Sequence, residues 1–244
     1  MRASIKILVF IILMLLIWSM LLLLTRWAEA SNETPREQMV ERLALGFTKA
    51  IRRESVKWYE CGEPTPPELW NDRAAKMARH LLTALDEYKV KINPWGPWAT
   101  IYKESRGNRC GIGPNPRAVA YKFKLIEPKA HRLWTEADIK SVIRSPRWGR
   151  RVADLGLGQV VWKRYARLKD GERIRIPTLE EMLTVKQGMR VVAYTMGRRM
   201  YWTRNKRLRR TPWIFWPGNV PDWNYHRDVL DIVQKMGGPM RDLY

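Results

Sequence analysis

The chain has 244 residues, enough for one ordinary domain plus appendages. Its 45 Lys and Arg against 24 Asp and Glu give a formal net charge of +21, a field that favours a polyanion: nucleic acid, an anionic membrane surface or an acidic cell-wall polymer. Neither of the two cysteines, Cys61 and Cys110, sits in a CxxC spacing, which argues against a zinc site and leaves open one disulfide or two separate thiols.

Residues 1–30 read as a targeting segment. Arg2 and Lys6 precede Ile7 to Leu24, a charge-free run of 18 residues broken only by Ser19. That length lies between a signal-peptide core and a full membrane span. Ala28-Glu29-Ala30 fits an A-x-A cleavage pattern, so cleavage after Ala30 and retention as an N-terminal anchor both stay open. In either case the positive charges before the run put the body outside the cytoplasm, on the periplasmic side of an inner membrane. That weakens an intracellular DNA-binding reading of the charge.

Residues 31–92 read as a helical lead-in. Thr34, Pro35 and Glu37 form a capping box with proline at the first helical position. Val40, Leu43, Phe47 and Ile51 then recur at helical spacing, and Cys61 to Pro67 ends the helix with a stiff loop. A second helix is expected from about Glu68 to Val90, with Leu69, Ala74, Met77, Leu81 and Leu85 as its stripe. Both helices look like scaffold. His80 has no carboxylate or histidine at i±4 and reads as solvated or packed.

Residues 93–244 read as the main domain. Asn93-Pro94 breaks the pattern and a helix then leads to Glu104-Ser105, followed by a polar loop with Gly107. Short helices are expected near residues 117–127 and 135–144, the second opening on Thr135 with Asp138 three residues on. The longest helix of the body is expected from about Thr178 to Asn205, with Thr178 and Glu181 as a capping box and Met189, Val192 and Met196 on its inner face. A basic run, Arg198 to Arg210, closes it. The last helix is expected from about Asp222 to Met236, stopped by Gly237-Gly238. Strand alternation is not convincing anywhere, so the expected class is mostly α.

Glu104 is the one acid placed for chemistry. At the C-terminal end of an apolar helix, both burial and the negative pole of the helix disfavour its anion. A carboxyl group kept protonated near neutral pH is what a departing glycosidic oxygen needs. A solvated Glu104 paired with Lys103 or Arg106 is the alternative. Trp offers a flat apolar face with one donor, and Trp98, Trp148 and Trp216 are candidates for stacking on sugars, against a simple core role.

The order of several blocks resembles the lysozyme-like lytic transglycosylases of the soluble-transglycosylase type, whose fold is related to goose-type lysozyme. These blocks are Ala99-x-Ile101-x-x-Glu104-Ser105, Gly156-Leu157-Gly158-Gln159 and Thr184-Val185-Lys186-Gln187-Gly188, then Ile214 to Val220 and Asn224-Tyr225-His226-Arg227-Asp228-Val229-Leu230. The resemblance spans residues 94–236. Asp154-Leu155-Gly156 is similar to the version in transglycosylases attached to secretion systems or carried by phage, so virion or secretion-system partners are among those it implies. Departures are Gly158 for Met, Thr184 for Asn, Trp216 at the Tyr position of Ala-Tyr-Asn-Ala-Gly with Pro217 for its Asn, and an insertion at 108–150. A rival placement of that block, Ala193 to Gly197, falls inside the preceding helix.

The resemblance implies cleavage of the β-1,4 bond between N-acetylmuramic acid and N-acetylglucosamine in peptidoglycan. Glu104 would protonate the leaving oxygen and then act as base toward the sugar's own 6-hydroxyl, giving a 1,6-anhydro end. It also implies substrate-side roles for Ser105, Gln159, Trp216 and Tyr225. No cofactor, no metal and no specific nucleic acid is expected. The partners expected are glycan strands and, if the apolar run is retained, the membrane. Two rival readings stay open: a hydrolytic lysozyme on the same fold with Asp154 positioning water, and a basic membrane-tethered structural or nucleic-acid-binding protein. The basic run reads either as a solvated helix end or as a region drawn to anionic polymer or phospholipid headgroups.

Overall fold

The computed structural model describes residues 14–21, 34–111, 133–144, 157–158, 165–167, 173–175, 183–217, 220–241 and 243. Arg2, Lys6, the Ala28 to Ala30 site, the 117–127 helix, Trp148, Asp154, Gln159, Thr178 and Glu181 lie outside the described residues. Two compact units are present, Met1–Met39 and Val40–Tyr244. In the first, residues 14–21 of the apolar run form a helix, α1, with exposed side chains. Among the described residues no helix is long and apolar enough to cross a membrane.

Helix α2 (Pro35–Arg53) opens as its sequence dictates: Thr34 Oγ1 accepts the Glu37 N–H at 3.3 Å. Its apolar stripe buries Val40, Leu43, Phe47 and Ile51. The Phe47 ring centroid lies 5.1 Å from Trp58, 4.9 Å from Trp98 and 5.1 Å from Tyr102. That aromatic cluster is the centre of the core. Emptying it by Phe47→Ala would cost about 3–5 kcal/mol, the transfer of the ring plus the cavity left behind.

Helix α3 (Trp70–Glu87) packs on α6 (Val185–Trp202), and α4 (Trp95–Ser105) packs on α7 (Trp223–Met236). Every residue of α4 from Trp95 to Tyr102 is buried, so this helix runs through the core rather than over it. Gly96 permits that path. A Cβ there would fall 2.1 Å from a Trp213 ring carbon. From Val40 onward the lead-in helices α2 and α3 share one core with the downstream helices.

Helix α5 (Glu136–Arg144) has the reciprocal cap its sequence announces: the Thr135 N–H donates to Asp138 Oδ2 at 2.7 Å, and the Asp138 N–H donates to Thr135 Oγ1 at 3.3 Å. Helix α6 starts later than the expected Thr178. Thr184 is extended, at φ −81° and ψ 144°, and its side chain accepts the Gln187 N–H at 3.3 Å. The cap in use is thus Thr184-x-x-Gln187, the stretch that opens a helix in the family resemblance. Helix α7 matches its expected bounds. Asp222 Oδ1 accepts the Tyr225 N–H at 2.9 Å, and Gly237, at φ 80°, ends the helix. The Gly238 N–H then bonds the Val233 carbonyl, which completes a Schellman motif.

The described residues are mostly helical, as the sequence leads one to expect, with two short antiparallel hairpins beside the helices. Strand β1 (Tyr59–Glu60) pairs with β2 (Glu63–Pro64), and β3 (Tyr165–Arg167) pairs with β4 (Arg173–Arg175). Runs of two or three residues are too short for alternation to be visible. Cys61 and Gly62, at φ 49° and 93°, make the tight turn of the first hairpin.

That hairpin is strapped to the loop after α4. Cys61 and Cys110 form a disulfide with Cα atoms 5.0 Å apart, which settles the open pairing. Asn108 Oδ1 accepts the N–H groups of both Cys61 (3.1 Å) and Cys110 (3.0 Å). Arg109 reaches Glu60 at 2.7 Å, Glu136 at 2.5 Å and the Leu183 carbonyl at 2.8 Å, joining the hairpin to α5 and to the lead into α6.

The disulfide closes a sequence separation of 49 residues, for which lost chain entropy in the unfolded state gives up to about 4 kcal/mol. Replacing Cys61 and Cys110 together by Ser should lower stability in urea denaturation by about 2–4 kcal/mol. An unchanged midpoint would mean that the two thiols are not joined.

Candidate active site

The site is built at the end of α4. Ser105 is the last helical residue, Arg106 turns left-handed at φ 49° and Gly107 follows at φ 72°. This sharp exit leaves Glu104 half-buried at the helix end, while the Ser105 side chain turns inward with 5% exposure. Ser105 Oγ donates to the Leu157 carbonyl at 2.7 Å, lies 3.2 Å from the Ile101 carbonyl and accepts the Gly107 N–H at 3.1 Å. The Glu-Ser pair and the Gly-Leu-Gly block are therefore in direct contact across 52 residues of sequence.

The other side of Glu104 is closed by α7. Tyr225 Oη donates to Glu104 Oε1 at 2.5 Å. Burial, and next the negative charge of Glu104, hold the Tyr225 phenol far above the ordinary tyrosine value, so it remains a donor throughout the neutral range. Lys103 Nζ pairs with Asp228 at 2.7 Å and sits 4.9 Å from the Tyr225 ring centroid. Arg199 of α6 donates through Nη2 to the Trp216 carbonyl at 3.3 Å, and burial lowers its pKa. Trp216 Nε1 donates to the Gly158 carbonyl at 3.0 Å.

Glu104, Ser105 and Trp216 thus meet the Gly-Leu-Gly block and Tyr225 as the sequence blocks suggest. Gln159 lies outside the described residues. Trp216 is only 9% exposed and its N–H is engaged, so it serves as a wall that holds Gly158 rather than as an open stacking face. Trp98 is no sugar platform: it is fully buried and its Nε1 donates to the Leu43 carbonyl at 2.8 Å. Four of the Trp residues, Trp58, Trp98, Trp134 and Trp213, are among the largest fully buried side chains. His80 is half-buried with a lowered pKa, from burial and the nearby Lys76 and Lys186 charges, and it stands outside the site. The stretch Ala193 to Gly197 lies inside α6.

A pocket of about 310 Å³ opens beside Glu104. Glu104, Ser105, Arg106 and Asn108 form one side, and Ile51, Val56, Lys57, Trp58 and Tyr59 form the other. The sequence marks α2 as scaffold, yet its end and the stretch leading into the first hairpin supply half of this wall. The available signal was Trp58-Tyr59 with only Glu60 between it and Cys61, since pairing Cys61 with Cys110 brings that stretch to the loop after Glu104. Among the described residues no group of three or more His, Cys, Asp or Glu is placed to hold a metal ion.

Compared with models of known families, with curated proteins and with solved structures, the chain matches none.

Tyr225 provides a test of this geometry. Its folded pKa stands above the unfolded value of about 10, so above that pH the unfolded chain releases a proton that the folded chain keeps. Its contribution is therefore complete below about pH 10 and is lost as pH rises, at up to about 1.4 kcal/mol per pH unit for one proton. In urea denaturation between about pH 9 and 11, Tyr225→Phe should show a shallower alkaline loss than the parent chain. Equal slopes would place Tyr225 in water rather than against Glu104.

Proposed function

We propose that the protein is an exported peptidoglycan lytic transglycosylase with a lysozyme-like helical body and Glu104 as its single general acid and base. The observation that supports this reading is that distant stretches are tied to one another and to the end of α4, with one of them, α7, bonding the Glu104 carboxyl group directly. Ser105 bonds the Leu157 carbonyl, Trp216 bonds the Gly158 carbonyl and Tyr225 bonds Glu104 itself.

Chemically, Glu104 stands half-buried at the edge of a pocket with apolar walls from Ile51, Val56 and Trp58. Tyr225 holds one carboxyl oxygen and so fixes the plane of the group. In the proposed reaction Glu104 protonates the glycosidic oxygen, and positive charge develops at the muramic acid C1. The substrate's own acetamido group stabilises that charge, in place of the second carboxylate most glycosidases use. Glu104, now a base, takes the proton of the 6-hydroxyl as that oxygen closes on C1. One carboxyl group thus completes both proton transfers and is restored. The net charge of +21 suits the acidic wall as a substrate. The Cys61–Cys110 disulfide supports an oxidising compartment, as does the charged start before an apolar run.

Glu104→Gln keeps the size and the hydrogen-bonding capacity of the side chain but removes its acid. Clearing of purified peptidoglycan should fall by at least about a hundredfold, with thermal unfolding unchanged. A variant that clears wall at the parent rate would sink the enzymatic reading.

A further inference from the structure

Between Glu181 and Asp222 the sequence carries nine Lys and Arg and no acidic residue. Most of these cations collect where α6 ends. Tyr201 and Trp202, the last two residues of α6, are 47% and 69% exposed, unusual for large aromatic side chains. Thr203 is buried and anchors the exit through Oγ1, 2.6 Å from the Arg199 carbonyl. Arg209 folds back to donate to the Thr203 carbonyl at 2.9 Å, and a 3-10 turn, Leu208–Arg210, follows. The turn is therefore built rather than loose, and it holds Arg204, Lys206, Arg207 and Arg210 in the solvent. Among the described residues none of these four cations has an acidic partner within ion-pair distance.

We propose that Tyr201, Trp202 and the turn from Arg204 to Arg210 form a docking surface for the headgroup layer of an anionic lipid bilayer. Exposed Lys and Arg match its phosphate charge, each gaining roughly fivefold in affinity near such a surface. Trp and Tyr are the side chains that settle at the headgroup level, apolar ring inward and N–H or O–H in the wet layer. A soluble polyanion would account for the cations but not for the two exposed rings. Sugar stacking does not account for them either. The ring planes lie 72° apart with centroids 5.7 Å apart, so the pair offers no common flat face to successive sugars. Arg199, which bonds the Trp216 carbonyl beside the candidate site, lies three residues before Trp202 on the same helix. Docking through this end would hold the site at a fixed height above the bilayer. The inference does not require Glu104 to be catalytic.

The test uses the full-length chain and sedimentation with two kinds of vesicle, phosphatidylcholine alone and phosphatidylcholine with about one third phosphatidylglycerol. The apolar run and its flanking charges are the same in parent and variants, so the change in the ratio of affinities between them isolates the surface. Wild type should prefer the anionic vesicles by on the order of a hundredfold or more, and added salt should erode the preference. Replacing Arg204, Lys206, Arg207 and Arg210 together by Gln should abolish the preference while leaving neutral-vesicle binding and thermal unfolding unchanged. Trp202→Ala should weaken anionic-vesicle binding by about tenfold. Equal binding of wild type to both vesicles would overturn the proposal, and so would a preference that survives the fourfold variant. If Trp202→Ala leaves vesicle binding intact while purified anionic wall polymer competes at equal affinity, the surface serves a soluble polyanion and the lipid assignment is wrong.

Discussion

The Ser105 hydroxyl is the point on which the site depends. Its one proton goes to the Leu157 carbonyl at 2.7 Å, the Ile101 carbonyl standing farther off at 3.2 Å, and its oxygen takes the Gly107 N–H. A buried carbonyl left without such a donor costs about 1–3 kcal/mol, so the bond weighs more for what its absence would leave than for what it adds. With that contact made, the chain must leave α4 through the left-handed Arg106 and Gly107. Glu104, one residue earlier, is then left at the rim with its carboxyl group in reach of Tyr225. Geometry at the acid is thus set by the hydroxyl of its neighbour.

The loop after Ser105 is held from the far side by a separate set of bonds. The disulfide, the Cys61 N–H on Asn108 Oδ1 and the Arg109–Glu60 ion pair bind the first hairpin to the segment Asn108–Cys110. Trp58 and Tyr59 enter the pocket wall as a result. The Arg73 guanidinium lies 4.2 Å from the Trp58 ring centroid and 3.0 Å from Glu60, and burial lowers its pKa to about 10. A charged network of this kind specifies position at little net gain in stability. Such stiffness suits a site in which one carboxyl group performs two proton transfers in turn, because the acid must stay in place between them.

Local chemistry was the legible part of the chain. Thr34, Thr135 and Asp222 cap the helices their spacing announces, and Gly237-Gly238 stops α7 where it should, since caps depend on residues within one turn. The start of α6 is ambiguous in the sequence because two capping boxes lie six residues apart, and nothing local tells Thr178 from Thr184, the cap the helix uses. Trp98 was misjudged for a different reason. Its place on α4 says nothing of burial when every side of that helix is covered, a condition set by α2, α7 and Trp213. The disulfide and the pocket wall leave little trace in the sequence for a related cause: both arise from contacts between the end of α4 with the loop after it and a hairpin too short to show a pattern. By contrast, the meeting of Ser105 with Leu157 and of Tyr225 with Glu104 joins blocks that sequence order alone had set side by side.

The central claim is that one carboxyl group, with no partner carboxylate, both releases the leaving sugar and closes the new ring. Water takes no part in that reaction, and this separates it from a hydrolase on the same scaffold. Purified peptidoglycan digested in water labelled with heavy oxygen, followed by mass spectrometry of the released muropeptides, reads the difference directly. The account predicts 1,6-anhydro ends that carry no heavy oxygen. Reducing ends that carry it would contradict the account and return the choice to a hydrolytic lysozyme.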